Sequence, residues 1–152
     1  MPTLTRLASM ILFGGLTYLV GMRYQMLYDD PPEALSGNLF LAVIAAAVGW
    51  YFVGPRIDRS YFRSVTVVLQ GYIATLFGAL FLYGFYDAFT KGYAMQYRNF
   101  DDAINGVMTV SAEHLMRMLD QDFMIFIALL TVTIAVVITT IYRTAEARRL
   151  AR

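Results

Sequence analysis

Four long apolar stretches follow one another along the chain, separated by polar segments. They cover residues 7–22, 39–53, 65–85 and 123–142. A helix needs about 20 residues to cross the hydrocarbon core of a bilayer, and the shorter stretches reach this length with neighbouring residues that tolerate the interface. The pattern therefore predicts four transmembrane segments, at about 4–24, 35–53, 65–87 and 122–142.

These segments are predicted to be helices. In a bilayer the backbone must satisfy its own hydrogen bonds, which leaves helices or closed barrels, and barrel strands alternate apolar and polar residues. The four stretches show no such alternation. Hydrophobic residues make up 59% of the 152 positions, against about half in a soluble domain. We therefore expect one all-α membrane domain over residues 1–152, built as a four-helix transmembrane bundle.

The long third loop is predicted to contain a fifth helix at about 100–119. Apolar residues recur there at helical spacing, and polar residues lie opposite. The predicted stripe consists of Ile104, Val107, Met108, Ser111, Leu115, Met118 and Leu119. Charged residues such as Asp102, Glu113 and Arg117 would each cost a few kcal/mol near the centre of a bilayer. The helix is therefore expected to lie in the outer interface or over the bundle.

Helix boundaries are indicated by local motifs. Asp30-Pro31-Pro32-Glu33 has the pattern of a helix start, and Asn99 with Asp102 resembles a cap and its partner. Gly54-Pro55 is predicted to end the second helix and turn the chain.

The distribution of charge predicts the orientation. Of the 12 lysine and arginine residues, eight lie in the N-terminal segment, the second loop or the C-terminal tail. These are Arg6, Arg56, Arg59, Arg63, Arg143, Arg148, Arg149 and Arg152. Basic residues concentrate on the cytoplasmic side of membrane proteins, so both termini are expected there. The basic patch is small and close to the membrane, and no nucleic-acid partner is expected.

Small residues on the spans indicate where helices can approach closely. The candidates are Ala45 with Gly49 and Ala74 with Gly78, together with Gly14, Gly15 and Gly21. Gln70, the most polar residue within a span, is expected to form an interhelical hydrogen bond, although it could instead line a conduit. Threonines in the spans are expected to bond to their own helix backbone.

Few residues offer catalytic or metal chemistry. The chain has no cysteine and a single histidine, His114, so neither a hydrolytic triad nor a zinc site is expected and no catalytic residue is assigned. Imidazole and thioether suit Cu(I), which makes His114 and Met118 weak metal candidates. Met116 lies about 160° from His114 on an ideal helix and does not belong to the same site. Packing is the simpler role for His114, and no cofactor is predicted.

Aromatic residues cluster at the predicted interfaces. Trp50, Tyr51 and Tyr61 are expected on the inner side, and Tyr24, Tyr28 and Tyr83 are among those on the outer side. Their simplest role is to anchor the helices in the membrane. A surface that contacts pigment or quinone is the alternative. Lipids are expected partners, together with other membrane proteins or further copies of the chain.

Several motifs resemble a known family. Met1-Pro2-Thr3 before the first span, Gly49-Trp50, Gly54-Pro55-Arg56 and then Tyr61 are similar to the bacterial TrgA-like membrane proteins. So are the aromatic stretch 81–86 and Tyr97 with Ala103 and Gly106. The resemblance covers nearly the whole chain and implies a protein of the bacterial inner membrane associated with tellurite resistance. It implies no catalytic residues.

Two functions are therefore expected from the sequence. The first is a non-catalytic inner-membrane protein that contributes to tellurite resistance indirectly, by supporting the membrane or a complex in it, because reduction by cysteine thiols is excluded. The second is an accessory structural subunit of a larger respiratory or photosynthetic complex.

Overall fold

The computed structural model describes residues 2–28, 35–93 and 100–150, and all its regular elements are helical. They are α1 (Pro2–Gln25), α2 (Leu35–Val48), a π-helical turn (Gly49–Val53), α3 (Gly54–Arg56), α4 (Tyr61–Tyr93), α5 (Phe100–Met118) and α6 (Gln121–Leu150). The predicted helix start at residues 30–33 and the predicted cap at Asn99 lie outside the described residues.

Four helical segments are long and apolar enough to cross a membrane. They are Leu4–Gln25, Leu35–Arg56, Tyr61–Gly84 and Gln121–Leu150. The second, called the second span below, combines α2, the π-helical turn and α3. The helices extend past the predicted boundaries at several ends, α4 to Tyr93 and α6 to Leu150. Hydropathy predicts only the apolar part of a helix, whereas hydrogen bonding continues until the backbone conformation changes.

The prediction that Gly54-Pro55 ends the second helix is wrong. Gly54 is helical, and its N–H donates to the carbonyl of Gly49, five residues earlier. This wider π turn directly precedes Pro55, which has no N–H to donate and whose ring would clash in a regular turn. The chain leaves helical geometry at Ile57, where ψ is 135°. The turn lets the helix run through the proline for one further residue.

The four spans form a ring in which α1 and α4 each contact the second span and α6. The closest approach is between α1 and the second span. A Cβ added to Gly49 would lie 2.6 Å from the Ser9 carbonyl oxygen, and one added to Gly14 would lie 2.9 Å from the Ala46 Cβ. The backbones can meet there only because no side chain separates them.

The predicted packing positions differ in how tightly they pack. Ala45 is fully buried, and Gly49 is in the tight contact described above. Ala74 is half-buried, and an added Cβ at Gly78 would meet Ile44 at an ordinary 3.5 Å. Gly15, also expected on a packing face, has open space beside it.

Small hydroxyl groups share the bundle interior with apolar side chains. Phe13, Val68 and Ile138 are fully buried, and so are Ser9 and Ser64. The expected threonine bonds to the helix backbone are present in five cases: Thr66, Thr75, Thr131, Thr133 and Thr140. Thr17 and Thr139 do not make them.

The expected interhelical bond of Gln70 does not form. The residue is exposed on α4 and has no hydrogen-bond partner among the described residues. Helix rotation explains the difference, because buried Val67, Val68 and Gly71 direct the adjacent face of α4 into the bundle.

One end of the bundle, called the basic end below, joins α6 to the turn before α4. Arg59 donates two hydrogen bonds of 2.7 Å to the Glu146 carboxylate. The Nε of Arg143 donates to the Arg59 carbonyl at 2.9 Å, and its guanidinium lies 4.3 Å from the centre of the Tyr61 ring. Gly54 packs against Arg6 here. The starts of α1 and α4 and the ends of α3 and α6 therefore lie together.

α5 lies against the opposite end, called the distal end. A Cβ added to Gly84 of α4 would lie 2.9 Å from a methyl group of Val107. Val107, His114 and Met118 are partly buried, whereas Ile104 is 45% and Met108 65% exposed. The face packed on the bundle is thus rotated from the predicted stripe, with His114 inside it and Met108 outside it. Contact with α4 and α1, rather than hydropathy, determines this rotation.

Candidate functional site

Three polar aromatic side chains meet at the distal end. The Tyr24 hydroxyl lies 2.6 Å from the Nδ1 of His114, and the Tyr28 hydroxyl lies 3.4 Å from the same nitrogen. The two hydroxyls are 3.3 Å apart. Tyr24, Tyr28 and His114 therefore form a hydrogen-bonded group, called the tyrosine-histidine cluster below.

Both helices present these side chains for simple reasons. Tyr24 and Tyr28 are four residues apart, so the last turn of α1 and the residues that follow it place them as neighbours. His114 lies on the packed face of α5, and the Arg117 guanidinium stacks over the Tyr28 ring at 3.7 Å. The Tyr24 ring meets buried Phe123 edge-on at 5.8 Å.

A helix cap fixes Phe123 beside the cluster. The Asp120 carboxylate accepts a hydrogen bond of 3.0 Å from the Phe123 N–H. This satisfies one of the free N–H groups at the start of α6, which is the usual role of an aspartate in this position. The cap fixes the start of α6 directly after Asp120. It thereby helps to place the Phe123 ring beside Tyr24.

The cluster favours a neutral imidazole. Burial lowers the pKa of His114 below its ordinary value of 6.5, and the positive charge of Arg117 lowers it further, while Glu113 has a smaller opposing effect. In a neutral ring one nitrogen donates and the other accepts. The imidazole can therefore take part in hydrogen bonding without bringing a charge to the site.

A cavity of about 370 Å³ adjoins the cluster, whose three side chains are part of its lining. Its lining combines aromatic rings with the half-buried imidazole. The rings are those of Tyr24, Tyr28, Phe40, Tyr83 and Phe123. Phe40 and Tyr83 are 41% and 48% exposed, so the cavity opens sideways between α2 and α4. The buried side chain of Asn38 also borders it.

A second cavity of about 280 Å³ adjoins the first, because Val20, Leu76 and Met118 are among the residues that line both. It extends towards Thr17 and Tyr72. These two hydroxyls are close neighbours, but neither completes a hydrogen bond of normal geometry with the described residues. Thr17 is 2% exposed. The second cavity is therefore bordered by two buried hydroxyl oxygens that lack good partners.

The weak metal candidates His114 and Met118 both line the first cavity. The Nδ1 of His114 is already bonded to Tyr24, and Met116 is 73% exposed on another face. Within residues 2–28, 35–93 and 100–150, no three histidine, cysteine, aspartate or glutamate side chains come together. The geometry of the described residues offers hydrogen bonding at this position, with one imidazole and one thioether nearby.

The Gly-Trp and Gly-Pro-Arg residues lie at the basic end, far along the second span from the cluster. Arg56 donates to the Phe52 carbonyl at 3.0 Å, and its guanidinium stacks on the Phe52 ring. Together with Gly49, Gly54 and Pro55 it belongs to the π turn and the helical residues after it. Trp50 is half-buried in the same turn, and the ring of Tyr61 lies under Arg143.

Sequence reasoning missed Tyr24 and Tyr28 as site residues and assigned them to an anchoring belt. One signal was available, since Thr17 and Tyr24 share a face of α1 that is otherwise apolar, and Tyr28 continues the same helical spacing just beyond its end. Their meeting with a histidine 90 residues away depends on how α5 folds back.

Comparison of the chain with protein-family models, with curated proteins and with solved structures found no match. The class of protein therefore rests on the fold itself, which is a helical bundle with four segments suited to crossing a membrane.

Proposed function

We propose that the chain is a non-catalytic, multi-pass protein of the bacterial inner membrane, similar to the TrgA-like proteins, and that it supports tellurite resistance indirectly by maintaining the membrane or a complex in it. The observation that carries the membrane assignment is the outward placement of large apolar side chains on all four spans. Ile11, Val43, Phe77 and Leu129 are each at least 60% exposed. In water such a surface would be strongly unfavourable, whereas lipid covers it at no cost.

The phenotype can be tested by expression in a tellurite-sensitive bacterial host. We expect the wild-type chain to raise the tolerated tellurite concentration. The same should hold for His114→Gln, because the proposed role needs no catalytic histidine. Equal tolerance with and without the chain would contradict the resistance role. Loss of tolerance in His114→Gln, with normal membrane levels, would contradict the non-catalytic role.

Both termini are proposed to be cytoplasmic. The basic end gathers Arg6, Arg59 and Arg143, and positive charge is retained on the cytoplasmic side. Cytoplasmic and periplasmic reporters fused after Arg152 test this arrangement. A periplasmic reporter that is active there, while a cytoplasmic one is inactive, would contradict it.

α5 is proposed to be an interfacial helix of the outer side. Its exposed apolar residues, Met108 among them, would face headgroups, and exposed Thr109 would face water. Because the chain has no native cysteine, single cysteines can be labelled with an impermeant maleimide in lipid nanodiscs. We expect labelling at Thr109 and protection at Met108 and at Val107, which packs against Gly84. Equal labelling of Met108 and Thr109 would mean that α5 stands clear of the membrane.

A second candidate function, an accessory subunit beside other membrane proteins or further copies of the chain, is favoured by Gln70. This amide is exposed about nine residues into the apolar segment Tyr61–Gly84, in an outward stripe with Thr66, Ile73 and Phe77. A polar side chain that faces lipid is unfavourable unless another protein satisfies it. A partner surface would satisfy the amide.

Cysteine crosslinking separates the possible occupants of this stripe. If two copies meet there, Gln70→Cys should form a disulfide-linked dimer in native membranes, and Val136→Cys on exposed α6 should not. If a different protein occupies the stripe, Gln70→Cys should remain monomeric, and purification in mild detergent should recover a stoichiometric partner that Gln70→Leu loses. A monomer with no such partner would contradict this candidate.

A further inference from the structure

We propose that the two adjoining cavities bind one uncharged isoprenoid quinone, with its carbonyl-bearing ring at the tyrosine-histidine cluster and its apolar tail in the second cavity or the opening towards lipid. This inference rests on the proposed membrane-spanning arrangement, because such a ligand would enter from the bilayer. It goes beyond the support role by assigning a ligand site and a ligand class.

The cluster has a hydrogen-bond donor to spare. If the Nδ1 of His114 accepts a hydrogen bond from Tyr24, the Nε2 of the same ring bears the hydrogen. This Nε2–H is left as a donor, and it has no partner among the described residues. If Nδ1 instead donates to the Tyr24 hydroxyl, Tyr24 can donate its hydrogen bond to Tyr28. The O–H of Tyr28 is then the donor that the cluster does not use. In either tautomer the three groups contain one donor more than their mutual bonds use. A carbonyl oxygen would accept from it.

The charge of the cavities favours a neutral ligand. Among the described residues that line them, none is an aspartate, glutamate, lysine or arginine. Arg117 lies near the cluster and stacks on the Tyr28 ring, but it is not part of either lining. The lowered pKa of His114 keeps the imidazole neutral as well. A phospholipid headgroup would find no opposite charge inside, and burying its charge would be costly.

The aromatic lining of the first cavity favours a ring over a simple acyl chain. The rings around the first cavity offer flat apolar faces for a planar head, in the way that many ligand sites combine apolar walls with a few polar groups. The second cavity continues between α1 and α4, where Thr17 and Tyr72 have hydroxyls without good partners. A saturated chain offers no acceptor to the spare donor of the cluster, whereas a ring with carbonyl oxygens can accept from it.

The test measures binding of ubiquinone-1, a benzoquinone with one isoprenoid unit, to the purified full-length chain in detergent by isothermal titration calorimetry. We expect saturable binding with one site per chain. Leu76→Trp would fill the space where both cavities meet and should abolish binding. Phe77→Trp, one residue along on an exposed face, introduces the same side chain outside the cavities and should bind like the wild type.

A second pair of variants tests the polar head site. Tyr24→Phe removes the hydroxyl that bonds to the Nδ1 of His114 at 2.6 Å and so positions the spare donor; it should weaken binding up to about tenfold, the typical range for one hydrogen bond. Tyr51→Phe, an exposed tyrosine outside the cavities, should leave binding unchanged. The melting temperature of each variant without ligand is measured in parallel, so that a folding defect is recognised and only folded variants are compared.

Three outcomes would overturn the proposal. One is non-saturable heat that is the same for wild type and Leu76→Trp, which would mean partitioning into detergent. Another is complete displacement of ubiquinone-1 by phosphatidylglycerol, which would assign the cavities to lipid chains. A third is unweakened binding to folded Tyr24→Phe. None of these outcomes bears on the orientation of the termini or on tellurite tolerance. The proposed support role is therefore tested independently of the quinone site.

Discussion

The hydroxyl of Tyr24 lies 2.6 Å from the Nδ1 of His114, although the two residues are 90 positions apart. This contact joins the end of the first span to the helix that precedes the last one. Together with the approach of Val107 to Gly84, it holds α5 against the distal end of the bundle.

Loss of the Tyr24 hydroxyl should loosen α5. We expect Tyr24→Phe to lower the free energy of unfolding by about 1 kcal/mol, because one partly buried hydrogen bond to the imidazole is lost. Thermal unfolding in detergent measures the change. Tyr51→Phe removes an exposed hydroxyl at the other end of the bundle and should have no effect. If both substitutions have equal effects, the contact contributes nothing specific.

The stability of the protein should fall on mild acidification through His114. Its pKa is lowered in the folded state, chiefly by burial and also by Arg117, so the unfolded chain binds the proton more tightly. The contribution of neutral His114 is therefore complete above its unfolded pKa of 6.5 and is lost progressively as the pH falls from there towards the folded value.

Melting temperatures at about pH 7.5 and pH 5.5 check this expectation. The wild type should lose more stability between them than His114→Gln, which cannot titrate at this position. Other acidic groups affect both proteins equally and cancel in the comparison. An identical pH response of the two proteins would show that the imidazole environment does not favour the neutral form.

Gly49 should be much less tolerant of a side chain than Gly15. In Gly49→Ala the new methyl would lie 2.6 Å from the Ser9 carbonyl oxygen, so α1 and the second span must move apart, at a cost of about 1 to 3 kcal/mol. Gly15→Ala has open space and should be neutral or stabilising by up to about 1 kcal/mol, because alanine is the better helix former.

Gly78→Ala should rank between these two changes, since its new methyl meets Ile44 at 3.5 Å. Thermal unfolding of the three alanine variants in one detergent gives the order. The same destabilisation at Gly49 and Gly15 would mean that the close approach of the helices does not matter for stability.

The ion pair at the basic end should contribute little. Arg59 and Glu146 make two good hydrogen bonds, but their side chains are 62% and 28% exposed, so water and salt screen their charges. We expect Glu146→Gln to lower the melting temperature by about 2 °C or less. High salt should reduce the difference further. A large loss that persists at high salt would instead indicate that this pair is essential for docking of α6.

Four helices long and apolar enough to cross a membrane could be predicted from the sequence, because a bilayer would impose a single requirement on any segment that crosses it. Each one must be about 20 residues long, predominantly apolar and internally hydrogen-bonded. Residues such as Phe77 and Leu129 satisfy this requirement wherever their neighbours lie. The periodicity at 100–119 also predicted a helix, and α5 ends one residue earlier, at Met118, with a packed face that differs from the predicted stripe; its place at the membrane interface stays a prediction.

The tertiary structure decided what local patterns leave open. Helix rotation placed Gln70 outside and His114 inside, since both depend on which neighbours a helix meets and not on its own composition. The π turn carried the second helix through Pro55, which a rule based on single residues reads as a stop. The tyrosine-histidine cluster exists only because α5 folds back on α1, and a contact between residues 90 positions apart arises from packing that no local pattern specifies.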